Sequence, residues 1–251
     1  MSETVIDSEA AGEPRGERIA KWLARAGVAS RRDAEKLLSE RAVRLNGEII
    51  THPATFVKAG DIILVKGQPV AEPARTRLWR FHKPEGLVTT HRDPEGRATV
   101  FDSLPPFMPR VISVGRLDLN SEGLLLLTND GTLARKLELP ANGWIRRYRV
   151  RIFGSPEPAE LAKLADGITV EGIRYRAIEA ALDSRKGDNS WITVSLQEGR
   201  NREIRRVMAH LGWNVSRLIR VAYGPFQLGN LARGMVDEVS QKVLREQIPQ
   251  G

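Results

Sequence analysis

Ile19, Trp22, Leu23 and Ala26 fall at i, i+3, i+4 and i+7, a single apolar stripe that predicts an amphipathic helix starting near Glu17 and ending at Gly27. Ser30, with Asp33 three residues on, has the form of a capping box, and Ala34, Leu37 and Leu38 extend the apolar face of a second helix. The period then changes from helical to alternating. Val43 and Leu45 flank Arg44 ahead of Asn46-Gly47, a strong hairpin signal, and Glu48-Ile49-Ile50 and Asp61-Ile62-Ile63-Leu64-Val65 read as further strands. Gln68-Pro69 and Glu72-Pro73-Ala74-Arg75 read as a linker. The expected divisions are a disordered tail over 1–14, a small unit over 15–65, a linker over 66–76 and a large unit over 77–251.

In the large unit, short strands alternate with helices. Leu78 to His82 is expected to pair with Leu87 to Thr90 across the Lys83-Pro84-Glu85-Gly86 turn. Other predicted strands are Arg110 to Val114, Leu124 to Thr128, Ile145 to Phe153, Ile173 to Leu182, Trp191 to Gln197 and Val215 to Val221. Predicted helices are Thr132 to Leu139, Pro158 to Ala165 and Arg202 to Leu211. This is an α+β pattern on a mixed, largely antiparallel β-sheet, preceded by a small module of two helices and a hairpin.

Charge adds a partner class. The formal charge is +8 and the pI about 10.1, while residues 1–14 hold four carboxylates and no base, so the positive charge belongs to the folded part. Clustered Lys and Arg gain free energy by releasing counterions from a phosphate backbone, which points to nucleic acid. Arg31, Arg32, Lys36, Arg41 and Arg44 lie in the second helix and the turn after it. Along IRRYRVRIF, Tyr148, Val150 and Ile152 share one strand face and Arg147, Arg149 and Arg151 the other. A third cluster comprises Arg200, Arg202, Arg205, Arg206, Arg217 and Arg220. Each is also what a solvated surface would carry.

No apolar run approaches the roughly 20 residues of a membrane span, the N-terminus lacks a basic segment leading into an apolar one, and there is no cysteine. The expectation is a cytoplasmic protein without disulfides or thiolate metal sites. The phosphate-binding G-x-x-x-x-G-K-[ST] and the dinucleotide G-x-G-x-x-G are missing, and the four histidines have no metal-ligand spacing. Zinc deamination needs Cys ligands that the chain lacks. An enzyme built from this chain works with carboxylates, arginines and a tyrosine, with no cofactor or metal. Within VGRLDLNSEGLLLLTNDG, Asp118 precedes four leucines in a turn-prone segment. Local rules make it an Asx-turn residue, and spacing alone does not overturn that; a desolvated carboxylate held by an arginine would be a usable nucleophile for a sugar or base carbon.

Longer motifs separate these readings. GRLDLNSEGLLLLTNDG, FHKPEGLVTTHRDPEGRATVFDSLP, YRVRIFG and EGRNREIRRVMAHLGWNVSRLIRVAYGPFQLGNL together resemble the RsuA/RluB-type family of rRNA pseudouridine synthases, over about residues 17 to 240. The helix, helix, NG-hairpin order with SRRDAEKLL resembles the S4 RNA-binding domain over about 17 to 64. The resemblance implies that Asp118 is the catalytic aspartate and that Arg116 enters the RNA helix when the target flips out. It implies that Tyr148 stacks on the flipped uracil, that Arg205 pairs with the aspartate, and that Leu228 lies beneath the base. It implies RNA contacts by Arg31, Arg32, Lys36 and Arg44 in the S4 module and by Arg200, Arg202 and Arg206 in the catalytic domain. Where the family often has one basic residue two positions before the tyrosine, Arg146-Arg147 fills both places.

The implied partner is ribosomal RNA, with motifs closer to the large-subunit (23S) members than to the small-subunit ones, acted on by a monomer. Aspartate addition at C1′, addition at C6, and glycal formation by removal of the C2′ proton all remain open. The rival readings are a noncatalytic S4-type factor in ribosome assembly and a carboxylate-based glycosidase acting on nucleosides.

Overall fold

The computed structural model describes residues 16–248; the tail expected over 1–14 lies outside them. The chain divides into two compact units at Arg75/Thr76.

The first unit begins with β1 (Glu17–Arg18), which pairs antiparallel with β4 (Phe56–Val57). Helix α1 (Ile19–Arg25) therefore starts two residues later than its stripe suggests, since Glu17 and Arg18 are committed to a strand. Helix α2 (Arg31–Ser39) is capped as expected, Ser30 Oγ accepting from Asp33 N at 3.1 Å and donating to Asp33 Oδ2 at 2.6 Å. β2 (Val43–Leu45) and β3 (Glu48–Ile50) form the hairpin. Asn46 and Gly47 both have positive φ, 52° and 91°, as a type I′ turn requires. Asn46 also grips the neighbouring chain, donating to Asp61 Oδ1 and accepting from Ile62 N, each at 2.9 Å. β5 (Ile63–Val65) pairs with β2, and β6 (Gln68–Pro69) pairs with β5. The linker expected over 66–76 is thus corrected at its start. Gln68–Pro69 is an edge strand, a place where proline's missing N–H costs no ladder bond. Ile19, Leu23, Ala34, Leu38, Val43 and Ile63 are the buried heart of this unit.

The second unit is organised by one sheet, in the order β13-β14-β10-β15-β9-β7-β17, with β16 added to β15 and β8 to β9. These strands are β7 (Leu78–Lys83), β8 (Ile112–Val114), β9 (Glu122–Thr128), β10 (Arg146–Phe153), β13 (Ile178–Lys186), β14 (Asn189–Leu196), β15 (Asn214–Tyr223), β16 (Phe226–Gln227) and β17 (Val236–Glu238). Its neighbours are antiparallel except β15 and β9, which run parallel through Ile219↔Glu122 and Arg220↔Gly123. The two-residue alternation of β9 and β7 supplies two cores. Phe81, Leu125 and Leu127 join Val150, Ile152, Ile192 and Val194 on one face. Leu78, Leu124 and Leu126 join Leu133, Leu137, Tyr223 and Phe226 on the other. The first core is closed by α4 (Pro158–Ala162), the hairpin β11 (Ile168–Val170) and β12 (Ile173–Tyr175), and α5 (Glu203–His210); the second by α3 (Gly131–Glu138) and α6 (Gln241–Gln247).

Three expectations are revised. Leu87 to Thr90 is not the partner of β7, which pairs with β9 and β17. Instead Val88 makes an isolated bridge to Thr99, and the Thr89 hydroxyl donates to the Leu117 carbonyl at 2.9 Å. The strand expected over Ile173 to Leu182 is two strands, because the first three residues turn back on β11 before Ile178 joins β14. The helix beginning at Pro158 tightens to a 3₁₀ turn after Ala162. β17 and α6, too short and polar to show a period, are additional.

Gly123 is where the parallel pair meets. Its φ is +106°, and a Cβ there would stand 2.3 Å from the Arg220 carbonyl oxygen. Gly123→Ala is expected to cost roughly 2–4 kcal/mol, from backbone strain plus displacement of β15. Denaturant unfolding of the purified variant measures this.

Candidate active site

Between Val114 and Glu122 the chain leaves β8, turns, and enters β9. The backbone of this loop is fastened almost residue by residue. Glu138, at the end of α3, accepts from Gly115 N at 2.5 Å, and the Thr89 hydroxyl donates to Leu117 O. Gly86 N donates to Leu119 O at 2.9 Å, and Arg205 Nη2 donates to Asn120 O at 2.6 Å. At the centre is Lys83, fully buried at the end of β7. Its ammonium is 2.8 Å from Ser121 O, 2.9 Å from Pro84 O, 3.1 Å from Asp118 O and 3.5 Å from Leu119 O. Four carbonyls surround three N–H bonds, so the charge is solvated by the loop it holds.

What the loop presents is a cleft of about 260 Å3. Its walls include Arg116, Leu117 and Asp118 from the loop, Arg146 and Tyr148 from β10, Leu196 from β14, and Leu218, Arg220 and Tyr223 from β15. Gly199, Arg200, Asn201 and Arg202 complete it from the segment before α5, with Glu203 and Ile204 of the helix itself. Asp118 is half-buried and Arg116 exposed. Tyr148 is buried, on the face of β10 that carries Val150 and Ile152. The apolar walls make a slot for a flat ring, and the carboxylate at its rim is a group capable of nucleophilic or base chemistry.

The cationic walls are themselves braced. Arg146 passes 4.9 Å over the Tyr223 ring and donates to Tyr223 Oη at 3.3 Å. Arg220 lies 5.2 Å from the same ring and donates through Nε to Leu124 O at 2.7 Å. The Arg220 side chain is buried, yet its Nη2 has no hydrogen-bond partner among the described residues. A buried donor left in this state is costly unless a ligand completes it. Arg202 has a left-handed backbone, φ 51°, at the N-cap of α5. Glu203, buried behind it, accepts from Arg200 N at 3.0 Å, and burial pushes its carboxyl above the usual range.

The expected site residues therefore divide. Asp118, Arg116 and Tyr148 converge on the cleft, as do Arg200 and Arg202, while Arg206 is exposed on α5 and does not line it. The ambiguity at Arg146-Arg147 is resolved by strand alternation, since Arg146 lines the cleft and Arg147 is exposed on the opposite face. Two residues are elsewhere than expected. Arg205 is close enough to feel the Asp118 charge but makes no direct contact with its carboxylate; it donates to the carbonyls of Asn120 and, at 2.9 Å, of Val215, because its place on α5 directs it to the loop backbone. Leu228, beyond β16, belongs to the core with Val114 and Phe226, and Leu117, Leu196 and Leu218 are the leucines of the cleft. Lys83 escaped the sequence reading as a site residue, and Arg220 entered it only as one member of a basic cluster. The only signal was a charged residue inside an otherwise apolar strand, Lys83 after LWRFH and Arg220 within RLIRVAY.

In the first unit, Arg31, Arg32, Lys36 and Arg44 are exposed. Lys36 stands 3.6 Å from Glu40 and Arg44 donates to Gly47 O at 2.8 Å, so the set is a basic surface partly occupied by local contacts. Among the described residues no cluster of His, Asp or Glu could hold a metal ion, and no helix is long and apolar enough to cross a membrane.

By fold and site this is an α+β protein that joins a small basic module to a sheet domain with a carboxylate at the mouth of an apolar, arginine-walled cleft. The RNA pseudouridylate synthase family model matches residues 77–210 and the S4 domain model residues 17–63. An uncharacterized RNA pseudouridine synthase of Rickettsia bellii is 47% identical over 91% of this chain and 99% of its own length. The ribosomal large subunit pseudouridine synthase B of Haemophilus influenzae is 42% identical over 89% of this chain and 65% of its own. A crystal structure of a pseudouridylate synthase superposes with a TM-score of 0.64 at 25% identity, over 93% of this chain and all of that one. The chain belongs to the RNA pseudouridylate synthase family, and is an enzyme of that class with an N-terminal S4 domain.

Lys83 gives the site a pH dependence. Burial lowers its ammonium to about 8, against the opposing pull of Glu85, Asp118 and Glu122 and with added repulsion from Arg220. Deprotonation removes the charge and one donor from the loop, so turnover is expected to fall as pH rises through about 8. Lys83→Arg, which stays charged, moves that alkaline limb upward if the folded loop accepts it, as a pH–rate profile would record. The stability linkage has the opposite sign. Between pH 8 and the ordinary lysine value the unfolded chain binds more protons, so this group's contribution to stability rises with pH there and is lost as pH falls through 8.

Proposed function

We propose that this protein isomerises a specific uridine to pseudouridine in ribosomal RNA, that the RNA is the 23S species of the large subunit, and that Asp118 is the catalytic carboxylate. The observation that carries the assignment is the convergence of a backbone-clamped Asp118, Tyr148 and the incompletely bonded Arg220 on one ring-sized cleft. The choice of the large subunit is supported by likeness to proteins that bear that name in Haemophilus and Yersinia.

The reaction breaks the C1′–N1 bond, turns the uracil while it stays bound, joins C1′ to C5, removes the C5 hydrogen as a proton and leaves a proton on N1 in its place. Atoms balance without an external reactant, so no cofactor is required. Asp118 acts on the nucleotide by addition at C1′ or C6, or as the base that gives a glycal. Tyr148 offers an aromatic face to the uracil and, near C5, a group that can take part in proton removal. Leu196 and Leu218 keep water from an intermediate that hydrolysis would destroy. Arg220 Nη2, without a partner among the described residues, can donate to the substrate.

To reach this cleft the uridine must leave its stack, which costs a few kcal/mol. Arg116, exposed at the rim, is suited to fill the vacated place, and Arg146, Arg200 and Arg202 to hold the flanking phosphates. The S4 module adds affinity through Arg31, Arg32, Lys36 and Arg44, with the segment after the edge strand Gln68–Pro69 connecting it to the catalytic domain. The same reading has the enzyme act in the cytoplasm, as a monomer. A noncatalytic assembly factor would leave the clamped loop and the apolar slot without a use.

Purified protein is expected to release tritium from C5-labelled uridine in unmodified 23S rRNA, and Asp118→Asn to abolish release while changing RNA affinity less than about threefold. Label retained by active, folded wild-type protein on both 23S and 16S transcripts would overturn the assignment; release from 16S alone would overturn the large-subunit part. Removal of residues 1–70 is expected to weaken binding by at least about tenfold, as loss of several phosphate contacts implies, while the remaining protein unfolds cooperatively in a thermal melt.

A further inference from the structure

Front and back of the sheet are set by alternation along β10. Tyr148, Val150 and Ile152 face the core beneath the cleft, so Arg147, Arg149, Arg151 and Phe153 face away from it. Register extends this second face sideways. Arg151 is opposite Trp191 of β14 and Arg217 of β15, and Arg149 is opposite Thr193. Directly opposed residues share a face.

Helices α3 and α6 cover the same side of the sheet only over β7, β8, β9 and the end of β15. Among the described residues, no helix covers the part made by β14, β10 and the start of β15 in this way. Phe153 is 56% exposed there, and the side chains of Arg149 and Arg217 are 49% and 41% exposed. Their guanidinium carbons stand 4.8 Å and 5.9 Å from the centre of the Trp191 ring. Acid is sparse. Asp183 lies 3.6 Å from Arg149 and accepts from Thr193, and Glu122, fully buried, is bound by Arg217 and Arg233. Burial works against the ionised form of Glu122, but those two arginines outweigh it and hold its carboxyl below the usual range. Arg147 and Arg151 have no carboxylate partner among the described residues.

An exposed aromatic, planar guanidiniums stacked on a second aromatic, and unpaired positive charge on an antiparallel sheet are the elements with which proteins hold single-stranded RNA. Bases stack on the rings and on guanidinium planes while the charge tracks the backbone. We propose that this back face, centred on Arg149, Arg151, Phe153, Trp191 and Arg217, is a second RNA-binding surface of the catalytic domain. Its occupant is a single-stranded segment of the same RNA that flanks the target uridine. The inference rests on the proposed RNA substrate and extends it, because Tyr148 and Arg149 are neighbours in sequence and the two surfaces are separated by the thickness of one sheet. β13 ends the strand order on this side, leaving an edge round which a strand of RNA can pass.

The test measures binding of an unmodified 23S rRNA transcript to the full chain at several salt concentrations. Arg149→Gln/Arg151→Gln is expected to raise Kd by about tenfold and to flatten the dependence of log K on log salt by about 1.4, as loss of two single-strand phosphate contacts requires. Lys242→Gln/Arg245→Gln, two exposed positions of α6, removes the same charge elsewhere and is expected to change the slope far less. Phe153→Ser is expected to raise Kd at least about fivefold with little change in slope, the signature of lost stacking. Thermal melts check that each variant is folded.

Photocrosslinking with 4-thiouridine transcripts, read by peptide mass spectrometry, is expected to label the 149–153 or 189–193 segments in wild-type protein, independently of any variant. Equal losses in the α6 control, or unchanged Kd and slope in the back-face variants with no crosslink to those segments, would overturn the proposal. Tritium release by wild-type protein on the same transcript reports separately on the catalytic reading, so the two can fail independently.

Discussion

One buried ammonium governs the geometry of the catalytic domain. Lys83 ends β7 at the point where β9 begins, and it is enclosed by carbonyl oxygens of Pro84, Asp118, Leu119 and Ser121. An ammonium in a dry core is tolerated only if polar groups replace its water, and backbone carbonyls aimed at one point can do so only if the loop adopts one path. The cost of burying the charge and the order of the loop are therefore the same quantity seen from two sides. Arg205 repeats the device from α5, and Glu138 inverts it by offering a carboxylate to a backbone N–H.

The sheet turns that local order into a site. The parallel contact of β15 with β9 brings Arg220 against Gly123, five residues from Asp118, at a separation that tolerates no side chain on the glycine. Alternation along β10 and β15 then assigns Tyr148, Leu218 and Arg220 to the cleft. The same alternation gives the opposite face a different set, Arg149, Arg151 and Arg217, so one strand pair serves two surfaces without either set of side chains crossing the core.

Much of this was legible in the amino-acid order. The first helices, the Asn46-Gly47 hairpin, and the division of Tyr148, Val150 and Ile152 from Arg147, Arg149 and Arg151 follow from local periodicity and turn chemistry, and the structure shows all of them. Long motifs drew Asp118, Arg116 and Tyr148 together although their separations carry no local signal. What local rules missed depends on contacts made at long range. Leu87 to Thr90 has the composition of a strand, but β7 finds its partners in β9 and β17, the latter more than 150 residues away. Arg205 and Arg220 are alike in sequence as basic residues near apolar ones. Only the packing of α5 against the loop, and of β15 against β9, gives the first a backbone to hold and the second an unsatisfied donor in the cleft.

The hold on the loop from Leu117 to Ser121 acts almost entirely through main-chain oxygens. Leu117 and Ser121 are buried, but the side chains between them at the rim are not what the rest of the domain recognises: Asn120 is exposed and Leu119 only half-buried. The rim of the cleft can accordingly change its chemistry through substitutions at these positions while the carboxylate stays where it is. A protein so arranged can be retargeted from one RNA context to another without rebuilding its catalytic centre, since the part that reads the substrate and the part that is read by the fold are different atoms of the same few residues.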